Sequence, residues 1–246
     1  MAKLFDFNAV WDQIPEIIKY LSTTLELAII SMIIGLVLGL LIAIIKIKEI
    51  PVLKQIASIY ISIVRGTPII VQLYIAYFGI PMFLKYLNMQ NGTDIEVNAV
   101  PGIVYAIIAL SINESAYNAE SIRAALLSVG KGQTEAASAL GMTYFQALRR
   151  IILPEAIVVA LPSLGNSFIS LIKGTSLAFA CAVVEITAAG KIIGGRTYRY
   201  FEVYVSLAII YWLITIVVER IIKLIEKKIS IPEQVPEPVK KGEKAE

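Results

Sequence analysis

EAASALGMTYFQALRRIILP, residues 135–154, lies between two long apolar runs but is itself too polar and too interrupted to cross a membrane. Within it Ala137, Leu140, Tyr144, Leu148 and Ile151 recur every three or four residues, the spacing of one apolar helical face. Gly141 interrupts that pattern. Inside a helix a glycine costs about 1 kcal/mol relative to alanine. At a helix end the cost vanishes, because glycine adopts the left-handed capping conformation. Two residues on, Thr143 and Gln146 form T-x-x-Q, the pattern of a capping box that starts a new helix. Pro154 is expected to break the chain before the next apolar run. The stretch therefore predicts a short helix over 132–140, a glycine turn, and a second helix leading back. Two purposes fit it: a docking surface headed by Glu135, or a solvated amphipathic connector.

The rest of the chain supplies the setting. Its 246 residues are 57% hydrophobic, with mean hydropathy +0.75, above the apolar share of a soluble domain. This is the composition of an all-α membrane protein. A net charge of +3 gives no reason to invoke nucleic acid. With no histidine and one cysteine, Cys181, disulfide frameworks, the usual zinc sites and histidine acid–base chemistry are excluded. Cys181 reads as a small packing residue.

Five uncharged runs, 27–45, 66–84, 97–113, 156–172 and 203–218, are each 16 to 19 residues long, close to the roughly 20 that a spanning helix needs. An odd number puts the termini on opposite sides. Lys46, Lys48, Lys54, Arg65, Arg123, Lys131, Arg149, Arg150, Arg220, Lys223, Lys227 and Lys228 fall on one side. Lys3, Lys19, Lys85, Lys191, Arg196 and Arg199 fall on the other. The positive-inside rule then places the N-terminus outside and the C-terminus and 135–154 inside.

Residues 5–20 carry apolar positions at helical spacing between acids and fit an interfacial helix, or simply the start of the first span. They lack the pattern of a signal peptide. Residues 1–230 are expected to form one transmembrane domain. The Pro- and charge-rich tail 231–246 is expected to be disordered in the cytoplasm.

Glu135-Ala136-Ala137, Gly141, Ile151, Leu153 and Pro154 stand at the spacing of the EAA loop, and residues 131–154 resemble that loop of ABC-type import permeases. The resemblance implies a coupling helix shaped by Glu135, Ala136, Ala137 and Gly141 that docks on a separate ATPase. Three further stretches are similar to permeases for polar amino acids: VRGTPIIVQLYIAYFGIP (64–81), ESAYNAESIRAALLSVGKGQTEAASALGM (114–142) and LPSLGNSFISLIKGTSLAF (161–179). The likeness runs from about Leu21 to Lys228, and the third stretch also resembles the cystine-transporting group. Gly174 departs from it, standing where such permeases commonly have aspartate. The family implies five spans in a bacterial inner membrane and an extracellular or periplasmic amino-acid-binding protein. The chain has no G-x-x-x-x-G-K-[ST] phosphate loop, so ATP and its cofactor chemistry belong to another chain. Five short spans make half a pore, which implies a second permease copy, identical or a close paralogue.

Ionisable groups at membrane depth tend to face a cavity or a partner. Asn113, Glu114 and Tyr117 share one helical face, as do Asn166, Ser170 and Lys173. A zwitterionic amino acid needs an acceptor for its ammonium, which Glu114 and Asn113 offer. It needs donors for its carboxylate, which Asn166, Ser170 or Thr175 offer. The same groups equally fit hydrogen bonds between helices. Glu120 and Arg123 read as a structural i,i+3 pair, and Glu185, Glu202 and Glu219 as interfacial residues bounding spans. Gly35-x-x-x-Gly39 permits close helix packing, and Gly66 suggests a tight turn. Two rivals remain: a secondary transporter, which would want inverted repeats, and an intramembrane enzyme, for which only Glu/Lys chemistry is available.

Overall fold

The computed structural model describes residues 5–94 and 96–229, which are helices and their connections, with no strand among them. The tail 231–246 lies outside the described residues. Helix α1 (Phe7–Ile18) begins on Asp6, whose carboxylate accepts the Asn8 amide. It buries Val10 and Ile17 and leaves Phe7 and Trp11 exposed. Helix α2 (Leu21–Ile47) follows almost directly, then α3 (Leu53–Gly66) and α4 (Ile69–Tyr74). A π turn (Ile75–Gly79) joins α4 to α5 (Ile80–Asn91). After a 3₁₀ turn (Val97–Ala99) come α6 (Gly102–Ser128), α7 (Lys131–Ala139) and α8 (Tyr144–Ala147). A second π turn (Leu148–Ile152) leads into α9 (Leu153–Gly174), and a 3₁₀ segment (Thr175–Cys181) into α10 (Ile186–Thr197) and α11 (Tyr200–Ile229).

Among the described residues, four continuous helical stretches are long and apolar enough to cross a membrane: Leu21–Ile47, Ile69–Asn91, Tyr144–Cys181 and Tyr200–Ile229. They coincide with the first, second, fourth and fifth runs of the sequence. The third run differs. Pro101 is extended and holds the start of α6 at Gly102, so 97–101 is not part of that helix. At the other end α6 continues well past Asn113 to Ser128. Its Glu114, Ser115 and Asn118 are buried there, packed among α2, α3 and α9. Being flanked by protein on several sides lets α6 carry polar side chains that a lipid-facing helix could not.

The α2–α6 seam is the most extensive in the fold, and glycine makes it possible. A Cβ on Gly35 would stand 2.7 Å from the Glu114 Cβ, and one on Gly39 3.0 Å from the Ala119 nitrogen. The GxxxG pattern is thus internal packing. Leu27, Ala28, Leu73, Ala106, Leu110 and Ile172 form the core beside this seam.

Two helices escape a reading based on uncharged runs. α3 is short and has Lys54 and Arg65 near its ends, but Ala57, Ile61 and Val64 recur at helical spacing and are buried, with Ile61 and Val64 packed by Ala116 and Ala119 of α6. α10 packs on α11 through Gly190, where a Cβ would stand 2.8 Å from Leu207. Gly66 ends α3 with open space around its Cβ position and without a positive φ, so no tight turn depends on it. Gly66→Ala is accordingly expected to fold normally, with thermal stability in detergent equal to or slightly above that of the native chain. A marked loss of stability would contradict the observed backbone.

Pro154 does not break the chain as the sequence predicts. The π turn before it closes with the Leu153 amide donating to the Leu148 carbonyl, five residues back. This wider turn relieves the clash that a proline ring imposes on the preceding turn. A π turn, Ile75–Gly79, also precedes Pro81.

Candidate functional site

Two regions bring the chemistry-bearing residues together. The first is a cavity of about 540 Å³ between α3, α6 and α9, within the usual range of small-molecule pockets. Asn113, Glu114 and Tyr117 reach it from α6, and Asn166 and Ser170 from α9. Five of the six predicted pathway residues thus share one wall system. Thr175 does not: it is fully buried in the 3₁₀ segment, its hydroxyl donating to the Ile172 carbonyl at 2.7 Å. Lys173 lies outside the lining as well.

Glu114 is buried, and its carboxylate accepts from the Ser167 hydroxyl at 2.7 Å, tying α6 to α9. Asn113 donates to the Gln72 side-chain oxygen at 3.1 Å. Gln72 in turn donates to the Val64 carbonyl at 2.8 Å and to the Thr67 hydroxyl at 2.8 Å. This chain of bonds fixes the turn between α3 and α4 against α6. Near the other end of the cavity Ser121 and Ser163 meet at 2.9 Å. The expected Glu120–Arg123 pair forms at 2.8 Å, and Lys46 of α2 joins the same carboxylate.

Arg65 is the charged lining residue that sequence reading passed over. It ends α3, and its guanidinium lies 5.1 Å from the centre of the Tyr117 ring. Only the amphipathic period of α3 could have signalled that it is carried up to the cavity.

The second region is the stretch 131–154. α7 ends as expected on Gly141, whose φ is +74°. The Gly141 amide donates to the Ser138 carbonyl and the Met142 amide to the Ala137 carbonyl, both at 3.0 Å, the paired bonds of a Schellman cap. The capping box also forms. The Thr143 amide donates to the Gln146 side chain at 2.9 Å, and the Gln146 amide to the Thr143 hydroxyl at 3.3 Å. The single apolar face expected here divides in two. Ala137 is buried, whereas Leu140, Tyr144 and Phe145 are 78%, 72% and 69% exposed. Glu135 and Ala136 are exposed beside them.

Glu185 is fully buried rather than interfacial. It caps α10, accepting the Thr187 and Ala188 amides at 2.9 and 2.8 Å and the Tyr211 hydroxyl at 3.3 Å. Cys181 is buried in packing, as expected.

Comparison with known proteins places this geometry. Residues 35–231 match the model of the "Binding-protein-dependent transport system inner membrane component" family. A probable amino-acid ABC transporter permease protein of Vibrio harveyi, PatM, is 40% identical over 226 residues, covering 92% of this chain and 97% of PatM. The L-cystine transport system permease protein TcyL of Bacillus subtilis is 39% identical, covering 94% of each chain. A chain from a crystal structure of an amino acid ABC transporter with histidines superposes with a TM-score of 0.76 at 38% identity, covering 92% of this chain and 100% of that one. The chain belongs to the family of binding-protein-dependent transport system inner membrane components.

Proposed function

We propose that this chain is the permease of an ATP-driven importer of polar amino acids, cystine among the candidates, and that it supplies half of the translocation pathway. The observation that carries the reading is the stretch 131–154, with a capped helix, a left-handed glycine and an adjacent exposed apolar patch. A solvated connector has no need of exposed Leu140, Tyr144 and Phe145, whereas a docking element has. Glu135, Ala136, Ala137 and Gly141 form the part that receives motion from a cytoplasmic ATPase. ATP binding there draws two such elements together and reorients the cavity, and hydrolysis resets it, so that two states of different substrate affinity alternate.

In this reading α6 is the third of five spans, the N-terminus is outside, and 1–230 is one permease domain with a cytoplasmic tail. The basic residues on the outer side are consistent with that orientation. Arg196 pairs with Glu16 at 2.7 Å and Arg199 with Asp6 at 2.7 Å, which offsets their charge. Asn113, Glu114, Tyr117, Asn166 and Ser170 line the path, and Thr175 supports it from within the core. A binding protein delivers the amino acid from outside, and a second permease copy, identical or paralogous, completes the pore.

Purification of the tagged chain in mild detergent tests this directly. Recovery of an ATPase with two permease chains per particle is expected. A chain that purifies alone and moves amino acids in liposomes without ATP would make it a secondary transporter instead.

A further inference from the structure

Three charged side chains line the α3–α6–α9 cavity: Arg65, Glu114 and Glu120. The Glu120 carboxylate is already engaged, since Lys46 and Arg123 both bind it. Arg65 and Glu114 have no oppositely charged partner within ion-pair distance among the described residues. The Tyr117 ring holds the Arg65 guanidinium against α6, and Tyr117 lies one helical turn from Glu114. One unpaired cation and one unpaired anion therefore face the same space, a turn of helix apart.

We infer that the cavity selects amino acids of zero net charge and binds them as zwitterions, with Arg65 receiving the α-carboxylate and Glu114 the α-ammonium. This inference rests on the import function proposed above and names its substrate class. A guanidinium presents a planar fork of donors that fits a carboxylate, and the tyrosine face that carries it restricts its motion without neutralising it. Glu114, buried and anchored by Ser167, supplies the complementary acceptor. Once both charges are engaged by the amino acid's own α-groups, the lining offers no further unpaired charge to a cationic or anionic side chain. Such a side chain would enter the cavity uncompensated, at a desolvation cost. On the α9 side, Asn166 and Ser170 offer neutral hydrogen bonds to a polar side chain, and Gly174 leaves room for it, because its Cβ position meets nothing within 4 Å.

The test uses the purified permease–ATPase complex without its binding protein, so that the delivering protein does not set the result. Equilibrium binding of the twenty amino acids and cystine is measured first, then binding of the α-amide of the best ligand. The complex is expected to prefer ligands of zero net charge and to bind the amide about tenfold or more weakly than the acid, the weight of a charge-assisted bond. Arg65→Gln should weaken the acid by that factor and leave the amide unchanged, abolishing the discrimination. Arg65→Lys should restore part of it. Equal weakening of acid and amide would mean that Arg65 is only structural and would overturn the assignment. A preference for arginine, lysine or glutamate would overturn the charge rule while leaving amino-acid import intact. Failure of every amino acid to bind would overturn the inference, and the import reading would then be judged separately by ATP-driven uptake with the binding protein restored.

Discussion

Replacing Gly141 with valine is expected to lower ATP-driven uptake about tenfold or more, with the amount of chain in the membrane unchanged. Gly141 has φ +74°, and nothing within 4 Å would meet a side chain there. Within the chain the penalty is therefore one of backbone conformation. The left-handed region costs a residue with a Cβ about 1–2 kcal/mol, and β-branched residues are genuine outliers in it. Relaxing that strain means giving up the two cap bonds to Ala137 and Ser138, which would swing α7 away from α8. A loss of 1.4 kcal/mol is already about tenfold in an equilibrium or a rate. Asparagine tolerates the left-handed region, so Gly141→Asn should keep most of the activity. The measurement is uptake in proteoliposomes containing ATP, normalised to incorporated permease. Native rates in the valine variant, or equal failure of both variants, would show that the turn does not govern coupling.

The second large effect is on folding. A Cβ on Gly102 would stand only 1.9 Å from the Cys181 carbonyl oxygen. Both partners are backbone, so no rotamer change relieves the clash, and α6 must move away from the 3₁₀ segment that packs on it. Overpacking of side chains commonly costs 1–3 kcal/mol. Backbone against backbone should reach or exceed about 3 kcal/mol. Gly102→Ala is therefore expected to reduce the recovered folded chain several-fold and to lower its unfolding temperature in detergent markedly. Gly174→Ala, at an open position, is the folding control and should match the native chain in yield and unfolding temperature. A Gly102→Ala chain as stable as native would mean that α6 and the 3₁₀ segment stand farther apart in the membrane.

How much of this was legible from sequence depends on whether the signal is local. The cap at Gly141 and the box at Thr143–Gln146 are set by residues within a few positions of one another, and both stand where the spacing put them. Four of the apolar runs became continuous helices. α6 is the instructive departure. Its second half is too polar to read as a span, because its solvent is protein, and protein neighbours are a property of the assembled fold. Arg65 was missed for a related reason, as a charge at the end of a short helix looks like a loop until the helix is seen to lean on α6. Thr175 stands apart for a different reason. Nine residues after Asn166, it falls on the opposite side of a helical wheel, about 180° round, and the 3₁₀ segment after Gly174 holds it in the core. The π turns before Pro81 and Pro154 depend on the carbonyl geometry of the preceding turn, which residue type alone does not report.

The contacts of α1 have a consequence for the order of synthesis. Asp6 pairs with Arg199, Glu16 with Arg196, and the Ser206 hydroxyl donates to the Val10 carbonyl at 2.7 Å. Helix α1, made before the rest of the described bundle, thus finds partners in α10, α11 and the residues between them, which are made after it. Until α11 is inserted, Ile17 has no Val203 or Leu207 to pack on, the Val10 carbonyl lacks its Ser206 donor, and two carboxylates wait for their arginines. The bundle can assemble around α2 and α6 while translation continues, but its ends close as a single late event. A ribosome stalled before α10 should hold a chain whose N-terminal helix is still open to proteases.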